Sequence, residues 1–118
     1  MNKKRILVVD DDSDVILSMK AILEKNGHEV ETARSENECM EKYAFFNPDI
    51  IFLDMMMEYM DSGFRVCKGI RESDRSVKIY MLSSVGSDNA GTTDVHEVGF
   101  NGSMEKPVSP EYLLQMVD

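Results

Sequence analysis

Three short apolar runs in this chain each end in a side chain able to serve one polar site. Ile6-Leu7-Val8-Val9 runs into Asp10-Asp11-Asp12, Ile50-Ile51-Phe52-Leu53 stops at Asp54, and Ile79-Tyr80-Met81-Leu82 stops at Ser83. Lys106 follows a minimal strand signal at Ser103 to Glu105. Crowded carboxylates repel one another and titrate abnormally unless a cation relieves them. Mg²⁺ is a hard cation that takes oxygen ligands in octahedral geometry and keeps several waters. A carboxylate can also act as a nucleophile and form an aspartyl phosphate, and phosphoryl transfer needs mainly positioning and charge neutralisation. Asp54 is therefore a candidate nucleophile, and Asp10 and Asp11 are candidate metal-site carboxylates. Lys106 is a candidate second cation, and Ser83 a candidate donor to a phosphoryl oxygen.

The elements that must position these groups follow from the hydrophobic pattern. Continuous apolar runs bounded by polar residues suit strands buried on both faces of a parallel sheet. In open α/β sheets, ligands bind beyond the carboxyl ends of the strands. Between the strands, Val15, Ile16, Met19, Ile22 and Leu23 recur at helical spacing, and Gly27 suits a left-handed cap. Val30 to Ala33 reads as a shorter, more polar edge strand. Ser35 with Glu38 reads as a capping box for a helix through about Phe46, which Asn47-Pro48 ends. A third helix is expected from about Gly63 to Glu72, and a strand from Val77 to Leu82. The segment Gly86 to Gly99 should hold a fourth helix, but Gly86, Gly91, Thr92 and Thr93 lower its propensity, so a short or irregular helix is expected. Pro110 to Val117 gives a last helix with proline in its first turn. This alternation predicts an α/β fold: a flavodoxin-like, doubly wound, five-stranded parallel sheet of order 2-1-3-4-5 with five helices. Strands one and three then lie side by side, which joins Asp10 and Asp11 to Asp54 across one crevice.

Composition narrows the classes. The 118 residues suit one compact domain spanning 1–118. A net charge of −9 argues against non-specific nucleic-acid binding and points to proteins, metal cations or a cation-neutralised phosphoryl group. Cys39 and Cys67 show no disulfide framework and read as buried or half-buried thiols in a reducing cytoplasm. No apolar run reaches the ~20 residues of a membrane-spanning helix, and the basic start at Met1 to Arg5 does not lead into a signal peptide. A cytoplasmic protein without membrane contact is the default. Asp10, Asp12 and Asp14 superficially resemble a calcium loop, but Val15 stands at the required glycine and Ala21 at the bidentate glutamate.

Val8-Val9-Asp10-Asp11, Leu53-Asp54, Met81-Leu82-Ser83-Ser84 and Glu105-Lys106-Pro107 come in order, each at a predicted strand end. Together they resemble the signature of response-regulator receiver domains, over essentially the whole chain. The resemblance implies that Asp54 is the phosphoacceptor of two-component signal transduction. Asp10 and Asp11 would organise Mg²⁺, Asp11 directly and Asp10 largely through water, with the Met56 backbone carbonyl and Asp54 as further ligands. Ser83 would be the hydroxyl switch residue, Lys106 the phosphate-pairing lysine, and Lys106-Pro107 a cis peptide. A histidine kinase or phosphotransfer protein would donate the phosphoryl group, and an output protein would receive the signal. Self-catalysed phosphorylation and dephosphorylation of Asp54, and no turnover of an external substrate, is the implied chemistry. The last helix lacks the arginine-rich pattern of dimerising relatives, so a monomer is expected.

Departures from that pattern matter. In the loop Met55 to Gly63, Glu58 stands where the family usually has proline, and the glycine comes one residue late. Ser103 occupies the position, three before the lysine, that usually holds an aromatic or bulky switch residue. Output is then expected through backbone rearrangement around Ser84 to Gly91. Met56 and Val85 stand where side chains usually tune attack by water, and neither orients a water by a strong hydrogen bond, so slow autodephosphorylation is expected. The altered loop and Ser103 motivate a rival reading, a phosphorylation-independent pseudo-receiver interaction module. A small phosphatase or other Mg²⁺ enzyme is a third.

Overall fold

The computed structural model describes residues 3–84 and 95–118. Its elements alternate along the chain: β1 (Arg5–Val9), α1 (Ser13–Lys25), β2 (Glu29–Ala33), α2 (Glu36–Phe46), β3 (Ile50–Asp54), α3 (Ser62–Arg71), β4 (Lys78–Ser84), α4 (Val95–Val98), β5 (Gly102–Lys106) and α5 (Pro110–Val117). The strands form one parallel sheet in the order β2-β1-β3-β4-β5, as the alternation predicts.

Successive side chains of a strand point to opposite faces, and here both faces are apolar. Leu7, Val9, Ile51, Leu53, Ile79 and Met81 meet Cys39 of α2 and Val66, Cys67 and Ile70 of α3. Ile6, Val8, Ile50, Phe52, Tyr80 and Leu82 meet Ile16, Met19 and Leu23 of α1 and Leu113 and Val117 of α5. Phe52 and Tyr80 stack with ring centroids 5.7 Å apart. Full burial of each such side chain stabilises the fold by about 1.5–3 kcal/mol relative to exposure. The apolar runs are continuous in sequence because neither face of the central strands meets water.

Helix ends follow local chemistry. The Asp12 side chain caps α1 by accepting from the Asp14 N–H at 2.9 Å. Gly27 takes φ 91° and Asn47 φ 55°, the left-handed turns that stop α1 and α2. The capping box of α2 is modified. The Ser35 hydroxyl accepts from the Glu38 N–H, but Glu38 accepts from the Arg34 N–H at 2.7 Å, one residue ahead of the cap.

Two strand ends differ from the sequence reading. β4 runs on to Ser84, and β5 includes Lys106 itself. Of the expected fourth helix, Val95–Val98 lies among the described residues as α4; residues 86–94 of that segment lie outside them. The expected rearranging segment beyond Ser84, and Val85 with it, lies outside the described residues. Cys39 and Cys67 are free and buried. Burial, reinforced by Glu36 and Glu38, pushes the Cys39 thiol up to about 12, and burial also raises that of Cys67. Both thiols are therefore held protonated and act as packing groups. Among the described residues no helix is long and apolar enough to cross a membrane.

Candidate functional site

The site forms where β1, β3 and β5 end on the same rim. Asp10 directly follows β1, and its N–H donates to the Ala33 carbonyl at 3.1 Å, continuing the pairing with β2. Its side chain is fully buried, and Oδ1 accepts from the Asp12 N–H at 2.9 Å. The acidic run is thus divided between jobs: Asp10 turns inward, Asp12 caps α1, and Asp11 stays exposed. Asp54 ends β3, in register with Leu82 of β4, and is 4% exposed. One carboxylate oxygen from each of Asp10, Asp11 and Asp54 lies within 4.8 Å of the others.

Lys106 closes the arrangement from β5. Its Nζ donates to Asp10 Oδ2 at 3.0 Å and to Asp54 Oδ1 at 3.3 Å. The Met56 N–H reaches the same Asp54 oxygen at 3.4 Å. One ammonium therefore contacts two of the three clustered carboxylates. Burial first, and the Asp10 charge second, push the Asp54 carboxyl up to about 6, against the opposing pull of Lys106 and the Met56 N–H. For Lys106, burial works against the charged form. Its hydrogen bond to Asp10 and the charges of Asp54 and Asp10 outweigh that and leave its pKa raised. The group carries surplus negative charge in a poorly solvated place, which a divalent cation would relieve. The donors are all carboxylate oxygens, and exposed Asp11 leaves room for retained waters; this suits Mg²⁺.

Of the residues singled out by sequence, Asp10, Asp11, Asp54 and Lys106 come together directly. Met56 is two residues beyond Asp54, with its side chain 48% exposed and its backbone in the adjoining turn. Ser83 is buried on the same rim, in register with Glu105 of β5, and among the described residues makes no hydrogen bond to Asp54 or Lys106. The Lys106-Pro107 peptide is cis. Ser103 is exposed on β5.

The sequence reading missed the residues that hold the loop after Asp54. Ser62 is fully buried and donates to Glu36 Oε2 at 2.7 Å, while Glu58 Oε1 accepts from the Glu36 N–H at 3.1 Å. The only local signal was a small polar residue just before Gly63. Its partner lies 26 residues away.

Residues 6–118 match the family model described as the response regulator receiver domain. The chain belongs to this family. This receiver domain is 36% identical over 110 residues to the alkaline phosphatase synthesis transcriptional regulatory protein PhoP of Bacillus subtilis, covering 93% of the chain and 45% of that protein. It is 34% identical over 116 residues to the chemotaxis protein CheY of the same organism, covering 97% of the chain and 94% of that protein. The chain thus spans about half the length of the transcriptional regulator and nearly all of the chemotaxis protein. Among solved structures, the chemotaxis response regulator CheY4 of Vibrio cholerae aligns with a TM-score of 0.86 at 29% identity, over 98% of this chain and 97% of that one. A CheY-like receiver domain from Methanospirillum hungatei aligns with a TM-score of 0.86 at 28% identity, over 98% and 91%.

Proposed function

We propose that this receiver domain accepts a phosphoryl group on Asp54 from a histidine kinase or a phosphotransfer protein. The observation that carries this reading is the placement of Lys106 Nζ between Asp10 and Asp54, 3.0 and 3.3 Å away, beside a third carboxylate. An ionised Asp54 oxygen attacks phosphorus. The new P–O bond forms as the bond from phosphorus to the donor's imidazole nitrogen breaks, and the imidazole leaves with the electron pair. Bound Mg²⁺, held by Asp11 and Asp54, by the Met56 carbonyl and through water by Asp10, would neutralise charge on the transferring group. Lys106 exchanges one carboxylate contact for a phosphoryl oxygen, and Ser83 donates its hydroxyl to another. Those new bonds favour one member of a pre-existing conformational pair, which is how the signal leaves the site.

The same geometry supports a narrow chemistry. Asp54 is both catalytic group and acceptor, so the chain modifies itself and turns over no separate substrate. The half-exposed thioether at Met56 cannot orient an attacking water by a strong hydrogen bond, which favours a long-lived acyl phosphate. The net charge of −9 favours a protein as output partner over direct contact with nucleic acid. We take the receiver to act as a monomer in the cytoplasm. Incubation with acetyl phosphate and Mg²⁺, followed by intact mass measurement, tests the proposal. One phosphoryl adduct, lost in Asp54→Ala, is expected. Absence of any adduct would favour the pseudo-receiver reading, and turnover of added phosphate esters would favour an enzyme.

A further inference from the structure

The loop between β3 and α3 exposes Met56, Tyr59 and Met60, with 48%, 57% and 73% of their surfaces open. These side chains bury too little to hold the loop by packing. Met55 is buried and Met57 packs against the core, and a chain of hydrogen bonds that leads to one buried polar side chain sets the backbone between and beyond them. Met55 is tied at both ends, its N–H donating to the Leu82 carbonyl at 3.1 Å and its carbonyl accepting from the Gly63 N–H at 2.8 Å. The Met57 N–H donates to the Tyr59 carbonyl at 3.2 Å, which also accepts from the Ser62 N–H at 3.3 Å. The Tyr59 N–H in turn donates to Ser62 Oγ at 3.0 Å. The Ser62 hydroxyl donates to Glu36 Oε2 at 2.7 Å, in the first turn of α2.

The Met57 N–H and the Met56 carbonyl belong to the same peptide group. That group is planar, and in the trans form its N–H and C=O point in opposite directions. Fixing the Met57 N–H on Tyr59 therefore fixes the direction of the Met56 carbonyl. The anchor for Tyr59 is Ser62, and the anchor for Ser62 is Glu36. Glu36 is itself braced, since its N–H donates to Glu58 Oε1 at 3.1 Å and its Oε1 lies 3.8 Å from the Arg65 guanidinium. Arg65 also lies over the Tyr59 ring, 4.7 Å from its centroid.

We infer that Ser62 and Glu36 are positioning residues for the cation site: they set the peptide plane that presents the Met56 carbonyl. The inference rests on the Mg²⁺ site proposed above. It ties metal affinity to α2, an element that supplies no ligand, because Glu36 sits at its first turn.

Calorimetric titration with Mg²⁺, paired with amide exchange of Met57 in metal-free protein, tests the inference. Ser62→Ala should bind Mg²⁺ about tenfold more weakly, as loss of a group that orients a ligand commonly does. Its Met57 amide should exchange about five- to tenfold faster without metal. Glu36→Ala should match it. Glu36→Gln loses the same charge but keeps an oxygen acceptor, and should restore affinity to within about threefold of the parent. Should Ser62→Ala prove too unstable, the Glu36 pair decides alone, since that side chain is only partly buried. Parental affinity in a folded Ser62→Ala, or equal losses in Glu36→Gln and Glu36→Ala, overturns the inference. A parent chain with no Mg²⁺ binding overturns the metal reading and this inference with it. A parent that binds Mg²⁺ while all variants match it overturns the inference alone.

Discussion

A methyl group on Gly63 would stand 2.7 Å from the carbonyl oxygen of Asp54 and 2.8 Å from the Met55 Cα. Both neighbours are backbone, so neither can swing aside as a side-chain tip would. The first turn of α3 is therefore seated directly on the chain that carries the proposed phosphoacceptor. Only glycine allows that approach without moving β3 or α3. Gly63→Ala should destabilise the fold by about 1–3 kcal/mol, the usual cost of forcing a methylene-sized group into a packed site. Urea denaturation measures it, and an unchanged midpoint would show that α3 can retreat freely.

Lys106 is the main group holding Asp54 toward the ionised form, against burial and the Asp10 charge. Lys106→Met keeps much of the stem but removes the ammonium. The Asp54 carboxyl, about 6 in the parent, should then rise by about one pH unit or more. Carbon-13 NMR of the labelled carboxyl reads this directly. An unchanged titration would mean that the two hydrogen bonds from Lys106 contribute little.

Away from the rim, the Tyr43 hydroxyl donates to Asp74 Oδ2 at 2.5 Å, while Asp74 Oδ1 accepts from the Ser76 and Val77 N–H groups at 2.9 and 3.1 Å. The contact joins α2 to the turn that leads into β4. The Tyr43 hydrogen bond, foremost, and the two backbone donors lower the Asp74 carboxyl. Burial first, then the bond to Asp74 and its charge, push the Tyr43 phenol up to about 12. The signs are opposite. The lowered Asp74 contributes stability above its unfolded value of about 4, lost as pH falls through the folded value. The raised Tyr43 contributes stability below its unfolded value of about 10, lost as pH rises toward the folded value. Tyr43→Phe should cost about 1–2 kcal/mol on the plateau between these limits. It should also flatten the decline in stability at both ends. Denaturation midpoints of the two chains at acid, neutral and alkaline pH test this, and a constant difference across the range would contradict it.

The fold was largely legible because each central strand is buried on both faces and each run stops at a polar residue. Ile50 to Leu53 could be only a buried strand or a short buried helix, and Asn47-Pro48 on one side with Asp54 on the other settled the choice. β5 is longer than its sequence signal for the converse reason. It lies at a sheet edge and of its residues only Met104 is buried, so its ends carry no apolar signal. The carboxylates were legible because they follow strand runs whose adjacency the topology supplies. Lys106 is 96 residues from Asp10, and only the ordered motif joined them. The Ser62–Glu36 contact had no comparable signal. It depends on the path of one loop, in which Tyr59 turns its carbonyl back to Met57 and Ser62.

The phosphoryl group is expected on Asp54 and on no other residue. The most direct test is to phosphorylate the chain with acetyl phosphate and Mg²⁺, reduce the acyl phosphate with borohydride, and sequence the peptides by mass spectrometry. Borohydride converts a phosphorylated aspartate to homoserine and leaves a free carboxylate unchanged. Homoserine at position 54 alone, absent when Mg²⁺ is removed by EDTA, is the predicted result. Homoserine at Asp10 or Asp11, or none anywhere while the protein remains folded, would contradict the account.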